Sequence, residues 1–164
     1  MFTRQSGFTY LFVLMLIALI GLGLGAAGTF WHTDAQRTRE AELLFIGNQY
    51  RQAIQSYYEL DSNAPRLPRS IDDLLEDTRQ PEPVRHLRRA WRDPVTGDAF
   101  EPILAPDGVG LSGVASRSTD TPLKQSGFDK RDEGFAKVAT YAEWQFVFTP
   151  PALPVQPAQP DSTQ

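Results

Sequence analysis

The chain has no cysteine in 164 residues, which excludes disulfides, thiolate metal sites and a cysteine nucleophile. It has two histidines, His32 and His86, and their spacing suggests neither a zinc site nor a serine–histidine relay. A net charge of −4 offers no general attraction to nucleic acid. The most telling absence is local, because no charged side chain occurs from Phe8 to Phe30. As a helix this run would extend roughly 35 Å, against a hydrocarbon core of about 30 Å. Only a helix satisfies its own backbone in such a solvent, so residues 8–30 are expected to form a transmembrane helix.

The flanks orient that helix. Arg4 precedes the run, while Asp34, Arg37, Arg39, Glu40 and Glu42 follow it. The positive-inside rule then keeps the short leader cytoplasmic and sends the bulk of the chain outward. A secretory signal is the competing reading, with Gly25-Ala26-Ala27 as its cleavage site, but its apolar region is usually about 7–15 residues. Gly23-Leu-Gly25-Ala-Ala-Gly28 matches the dinucleotide pattern G-x-G-x-x-G but lacks the preceding strand that pattern requires. Gly21 and Gly25 form a G-x-x-x-G pair, which lets apolar helices approach closely.

Beyond Trp31 the chain turns polar, with no proline before Pro65. Leu43, Ile46, Tyr50, Ala53, Ile54 and Tyr57 recur at three- and four-residue steps, an amphipathic stripe that predicts a helix continuing to about Leu60. Arg39, Glu40, Glu42, Gln49, Gln52 and Gln55 lie mostly off the stripe. Gly47 is a weak point in it, costing about 1 kcal/mol relative to alanine. The turn formers Asp61-Ser-Asn-Ala-Pro65 end the helix. Ser70 and Asp73 read as a variant capping box for a short helix, which Pro81 and Pro83 break. Val84–Trp91 is expected to form a further turn or short helix. It carries Arg85, Arg88 and Arg89, with Arg92 just beyond, and these are expected to pair with Asp72, Asp73, Glu76 and Asp77 or to form a solvated face; subunit contact is the functional alternative.

Phe100–Ala105 and Leu111–Ser116 flank a glycine-containing loop and read as a β-hairpin, with Pro102 directing the first strand to an edge. Glu143–Thr149 reads as a third strand with Trp144, Phe146 and Phe148 on one face, Trp144 and Phe148 covering the long helix. A long helix followed by a small antiparallel sheet is an α+β fold. Residues 150–164 contain five prolines and little to bury, and are expected to be disordered or extended.

Arg4-Gln5-Ser6-Gly7 followed by Phe8-Thr9-Tyr10-Leu11-Phe12 resembles the processing site of type IV prepilins and type II secretion pseudopilins. The resemblance implies that a prepilin peptidase cuts after Gly7 and methylates Phe8, so that the leader is 1–7 and the apolar run is retained. The family usually carries glutamate at the fifth mature residue, where its carboxylate is thought to pair with a neighbour's amino terminus; here that position is Phe12. An ammonium among apolar helices is costly unless paired. The departure therefore implies a minor or tip subunit, or else an assembly that tolerates Phe12. The implied architecture is pilin-like: a membrane-spanning half-helix over 8–30 and a periplasmic α+β domain over 31–149. The Asp93-Pro94-Val-Thr-Gly97 turn is similar to, but departs from, the family's Asp-Pro turn.

What the resemblance implies is a non-enzymatic subunit of a type II secretion or related pilus machine, in the bacterial inner membrane with a single pass and a periplasmic C-terminal domain. The implied partners are prepilin peptidase, other pseudopilins or pilins, secretion platform components and membrane lipid, with no nucleic acid. Major pseudopilins hold calcium in a loop comparable to Arg117–Ala139. Asp120, Asp129, Asp132 and Glu133 offer oxygen ligands there, although Arg131 breaks the EF-hand pattern and a solvated loop is the alternative. The competing function is a soluble or singly anchored periplasmic binding or adaptor protein that uses the run only for export.

Overall fold

The chain opens on one continuous helix, α1, Ser6–Glu59, in a computed structural model that describes residues 6–61 and 64–151, and for residues 6–8 and 22–32 the backbone alone. The expected membrane-spanning half, and with it the expected single-pass inner-membrane placement, is corrected: among the described residues no helix is long and apolar enough to cross a membrane. Crossing the roughly 30 Å of a hydrocarbon core takes about 20 consecutive apolar residues of helix, which the described part of α1 does not supply. From Asp34 onward α1 carries charge in every turn up to Glu42. The leader residues 1–5 and the proline-rich residues 152–164 lie outside the described residues.

The second half of α1 organises everything else. Leu43, Ile46, Tyr50, Ala53, Ile54 and Tyr57 are all buried, so the stripe read from the sequence is the face that meets the rest of the chain. Against it lies a three-stranded antiparallel sheet of β1 (Glu101–Leu104), β2 (Leu111–Ala115) and β3 (Gln145–Val147), in that spatial order. The hairpin and the third strand thus stand where the alternation predicts them. Pro102 sits on edge strand β1, where its missing N–H is harmless. Every residue of central β2 is buried, and Gly113 lies on the backbone of Phe146 and Val147 too closely for any side chain.

Two local expectations are corrected. Helix α2 is a single turn, Asp72–Leu75, whose N-cap is Ile71 with no side-chain cap; Asp73 instead accepts the backbone N–H of Arg69 at 2.7 Å. Residues 84–91 form no helix. They run alongside α2 through an Asp77–Val84 bridge, and His86 and Leu87 both donate their N–H to the carbonyl of Leu74.

The segment 117–139 is largely exposed but is pinned to the head at a few buried residues. Pro122, Asp132 and Phe135 are buried, and Lys130–Phe135 closes into 3₁₀ turns. Its apolar residues explain this: Phe135 stacks on Trp144 at 5.7 Å and meets Phe146 edge-on at 5.1 Å, while Phe128 meets Trp144 at 5.5 Å. Trp144 is thus enclosed by Phe128 and Phe135 within the same buried core as the α1 stripe. Phe146 faces α1 at Gly47, and Phe148 meets Tyr58 at 5.5 Å.

Candidate assembly surface and the clamps behind it

The first feature is an exposed apolar surface on α1. From Thr9 to Gly21 every described side chain of α1 is exposed, including Tyr10, Leu11, Phe12, Met15, Ile17 and Ile20. Phe12 is 60% exposed and no acid stands beside it in the run. Gly21 has open space where a Cβ would be, so another helix backbone can approach there. Gly7 and Phe8 lie in the first turn of α1 and Gly25 in its middle, at positions where only the backbone is described.

Three polar clamps tie the other half of α1 to the head. Glu40 is 3% exposed, and its Oε1 accepts the backbone N–H groups of Leu123 and Lys124 and the hydroxyl of Tyr141 at 2.8 Å. Gln36 adds a bond of 2.9 Å to the Tyr141 hydroxyl oxygen. Burial, with the Glu40 carboxylate beside it, pushes the Tyr141 phenol up to about 12. Glu40 stands three residues before Leu43, on the continuation of the buried stripe, and that spacing is the signal that distinguishes it from the solvated polar residues around it.

The second clamp joins Arg51 on α1 to Asp132, at 2.8 Å between Nη1 and Oδ1, with Asn48 donating to Asp132 Oδ2 at 3.2 Å. Asp132 is occupied by a guanidinium, Asp120 and Asp129 are exposed, and among the described residues no group of three or more acidic or histidine side chains is arranged to hold a metal ion. The tertiary structure does not gather Asp120, Asp129, Asp132 and Glu133 into a site.

The third clamp sets His86 between a hydroxyl and a carboxylate, a juxtaposition that spacing along the chain does not show. Ser56 Oγ on α1 lies 2.9 Å from His86 Nδ1, and His86 Nε2 lies 3.2 Å from Asp77 Oδ2. The order hydroxyl, imidazole, carboxylate is that of a nucleophile relay. Its electrostatics differ, because Arg79 grips Asp77 through Nε at 2.9 Å and Nη2 at 2.6 Å, and stacks on Tyr57 at 3.6 Å. That hydrogen-bonded guanidinium holds the Asp77 carboxyl at about 2. The arrangement fastens α1 to residues 77–86. Sequence spacing misses it because Ser56 and His86 are 30 residues apart.

A fourth buried acid organises the Asp93–Gly97 turn. Asp93 is fully buried, and accepts from Val95 N–H at 2.8 Å, Thr96 Oγ1 at 3.0 Å and Ser116 Oγ at 2.6 Å. The turn presents Trp91 and Arg92 at the surface. Arg89 lies flat over Trp91 at 3.8 Å, and Arg92 donates to the Gly97 carbonyl at 3.2 Å. The expected pairing of Arg85, Arg88, Arg89 and Arg92 with the nearby acids is absent among the described residues, since Asp77 is taken by Arg79 and His86. Comparison of the chain with protein-family models, with curated proteins and with solved structures finds no match to any of them.

Proposed function

We propose that this chain is a non-enzymatic, pseudopilin-like assembly subunit, cut after Gly7 and methylated on Phe8 by a prepilin peptidase, and incorporated with other pilin-type subunits into a short filament of a type II secretion or related pilus machine. The observation that carries the reading is the division of labour along α1. Its stripe from Leu43 to Tyr57 is covered by the chain's own head, while its apolar surface from Tyr10 to Ile20 is covered by nothing described. An apolar helix surface of this kind is stabilised by packing against partner helices. The exposed face from Tyr10 to Ile20 packs against the corresponding helices of neighbouring subunits, and the open position at Gly21 allows close approach. The clamps at Glu40, Asp132 and Asp77 hold the head rigidly on the helix, so that contacts between heads select neighbours. Phe12 in place of the family's glutamate supports a minor or tip position.

The test is the mature amino terminus, read by mass spectrometry from cells containing a prepilin peptidase. N-methylated Phe8 is the expected terminus. A chain beginning at Gly28, or retaining Met1, overturns the reading. Replacing Phe12 with glutamate then tests the minor-subunit assignment: the expected result is increased incorporation along the filament, and unchanged incorporation overturns that part.

A further inference from the structure

The arginine segment is the feature that the assembly reading leaves unused. Arg85, Arg88, Arg89 and Arg92 are exposed, and none makes an ion pair among the described residues. Two of them are nonetheless held in place. Arg89 is stacked on Trp91, and Arg92 is anchored to the Gly97 carbonyl of a turn organised by buried Asp93. They border a depression of about 580 Å³ that Arg39 and Glu42 of α1 also line. Guanidinium groups fixed in advance lose less side-chain freedom on binding than free ones, and Trp and Arg are enriched where binding energy concentrates.

The same head carries the complement. Asp72, Glu76 and Glu82 are exposed and likewise make no ion pair among the described residues. Their backbone is tied to that of residues 84–87 through the Asp77–Val84 bridge and the Leu74 carbonyl, while Leu74 and Leu87 point into the core. The chain has a net charge of −4 even with the four arginines counted, so the remaining surface is more acidic still. A molecule that displays both halves of a charge contact, each unsatisfied, has what a repeating heterologous association requires.

We infer that the arginine face Arg85–Arg92 docks on the acidic face around Asp72, Glu76 and Glu82 of a second copy of this chain. The inference rests on the reading of the chain as an assembly subunit, and it sets copies of this minor subunit side by side within the assembly. Trp91, beneath Arg89, supplies the apolar anchor of the contact, and the charges set register and partner choice.

The experiment is a charge exchange on the full chain in detergent micelles, read by sedimentation at low and at moderate salt. One variant carries R85E, R88E, R89E and R92E; the other carries D72K, E76K and E82K. Each alone is expected to self-associate at least about tenfold more weakly than the unmodified chain, with the two mixed together recovering association. The association of the unmodified chain is expected to weaken as salt rises. Undiminished association of the arginine-reversed chain overturns the inference, as does failure of the mixture to recover, or an unmodified chain that does not associate. Loss of binding to phosphatidylserine vesicles in the arginine-reversed variant, with self-association intact, assigns the face to lipid and also overturns it. The amino terminus of each sample, read in parallel, separates this outcome from failure of the processing assignment.

Discussion

The Cα of Gly47 sits against the ring of Phe146 with no room for a Cβ between them. The glycine that looks like a helix defect is the place where β3 reaches α1. The ring cannot easily yield, because Phe146 is fully buried and meets Phe135 on another side. Gly47→Ala gains about 1 kcal/mol of helix propensity and loses about 1–3 kcal/mol to overpacking. The expected balance is a lower urea midpoint and a lower melting temperature, whereas alanine would stabilise an ordinary exposed helix site.

Glu40 gathers donors from residues more than eighty positions away. Glu40→Ala leaves two backbone N–H groups and the Tyr141 hydroxyl without their acceptor, at a cost of about 2–4 kcal/mol. Hydrogen exchange at the amides of Leu123 and Lys124 should accelerate in that variant well before the sheet amides are affected. Equal acceleration throughout would mean that the clamp is not local.

Tyr141 adds an alkaline signature to the same clamp. Its folded-state value near 12 lies above the usual phenol value near 10, so the stabilisation is complete below about pH 10 and is lost as pH rises towards 12. Unfolding monitored across that range should show the loss, and Tyr141→Phe should remove its tyrosine-dependent part.

At the acid end the sign is reversed. Arg79 holds Asp77 at about 2, below its ordinary value, so the stabilisation is present above about pH 4 and falls away as pH drops to 2. The shift corresponds to roughly 2 kcal/mol. Asp77→Asn should be less stable at neutral pH and show a flatter stability profile between pH 4 and 2.

Asp132 supports a prediction about metal. Its carboxylate accepts from Arg51 and Asn48, and removing it strands a guanidinium that is largely buried. Asp132→Ala should cost about 3 kcal/mol. Calcium or a chelator should leave the melting temperature of the unmodified chain unchanged; a calcium-dependent rise would show that the cation displaces Arg51.

Much of the head was legible in the chain. The three- and four-residue recurrence from Leu43 to Tyr57 marks the buried face of α1, because a helix can hide only one side against a sheet. The short apolar runs around Asp107 and Gly108 mark the hairpin, and alternation at Trp144, Phe146 and Phe148 marks β3. Pattern alone misled where the environment of a residue decides. Phe128 and Phe135 look like stray aromatics in a charged loop, yet they pull that loop into the core by enclosing Trp144. The uncharged run from Phe8 to Phe30 suggests a membrane span, but no described helix meets the length and apolarity a span needs.

The sequence by itself determined the long helix, its buried stripe, the hairpin on edge-tolerant Pro102 and the absence of thiol chemistry, all of which depend on local period or residue type. Only the tertiary structure decided which acids are structural. Glu40, Asp77, Asp93 and Asp132 look in the sequence like Asp72 or Glu76, but folding carries the first four into places where water is excluded and a specific donor must replace it. Those donors come from residues such as Tyr141, Ser116 and Arg51, up to about a hundred positions away for Glu40. A charge costs little in solvent and much in a core, so its role is set by its burial and its partner, and neither is written in its neighbours along the chain.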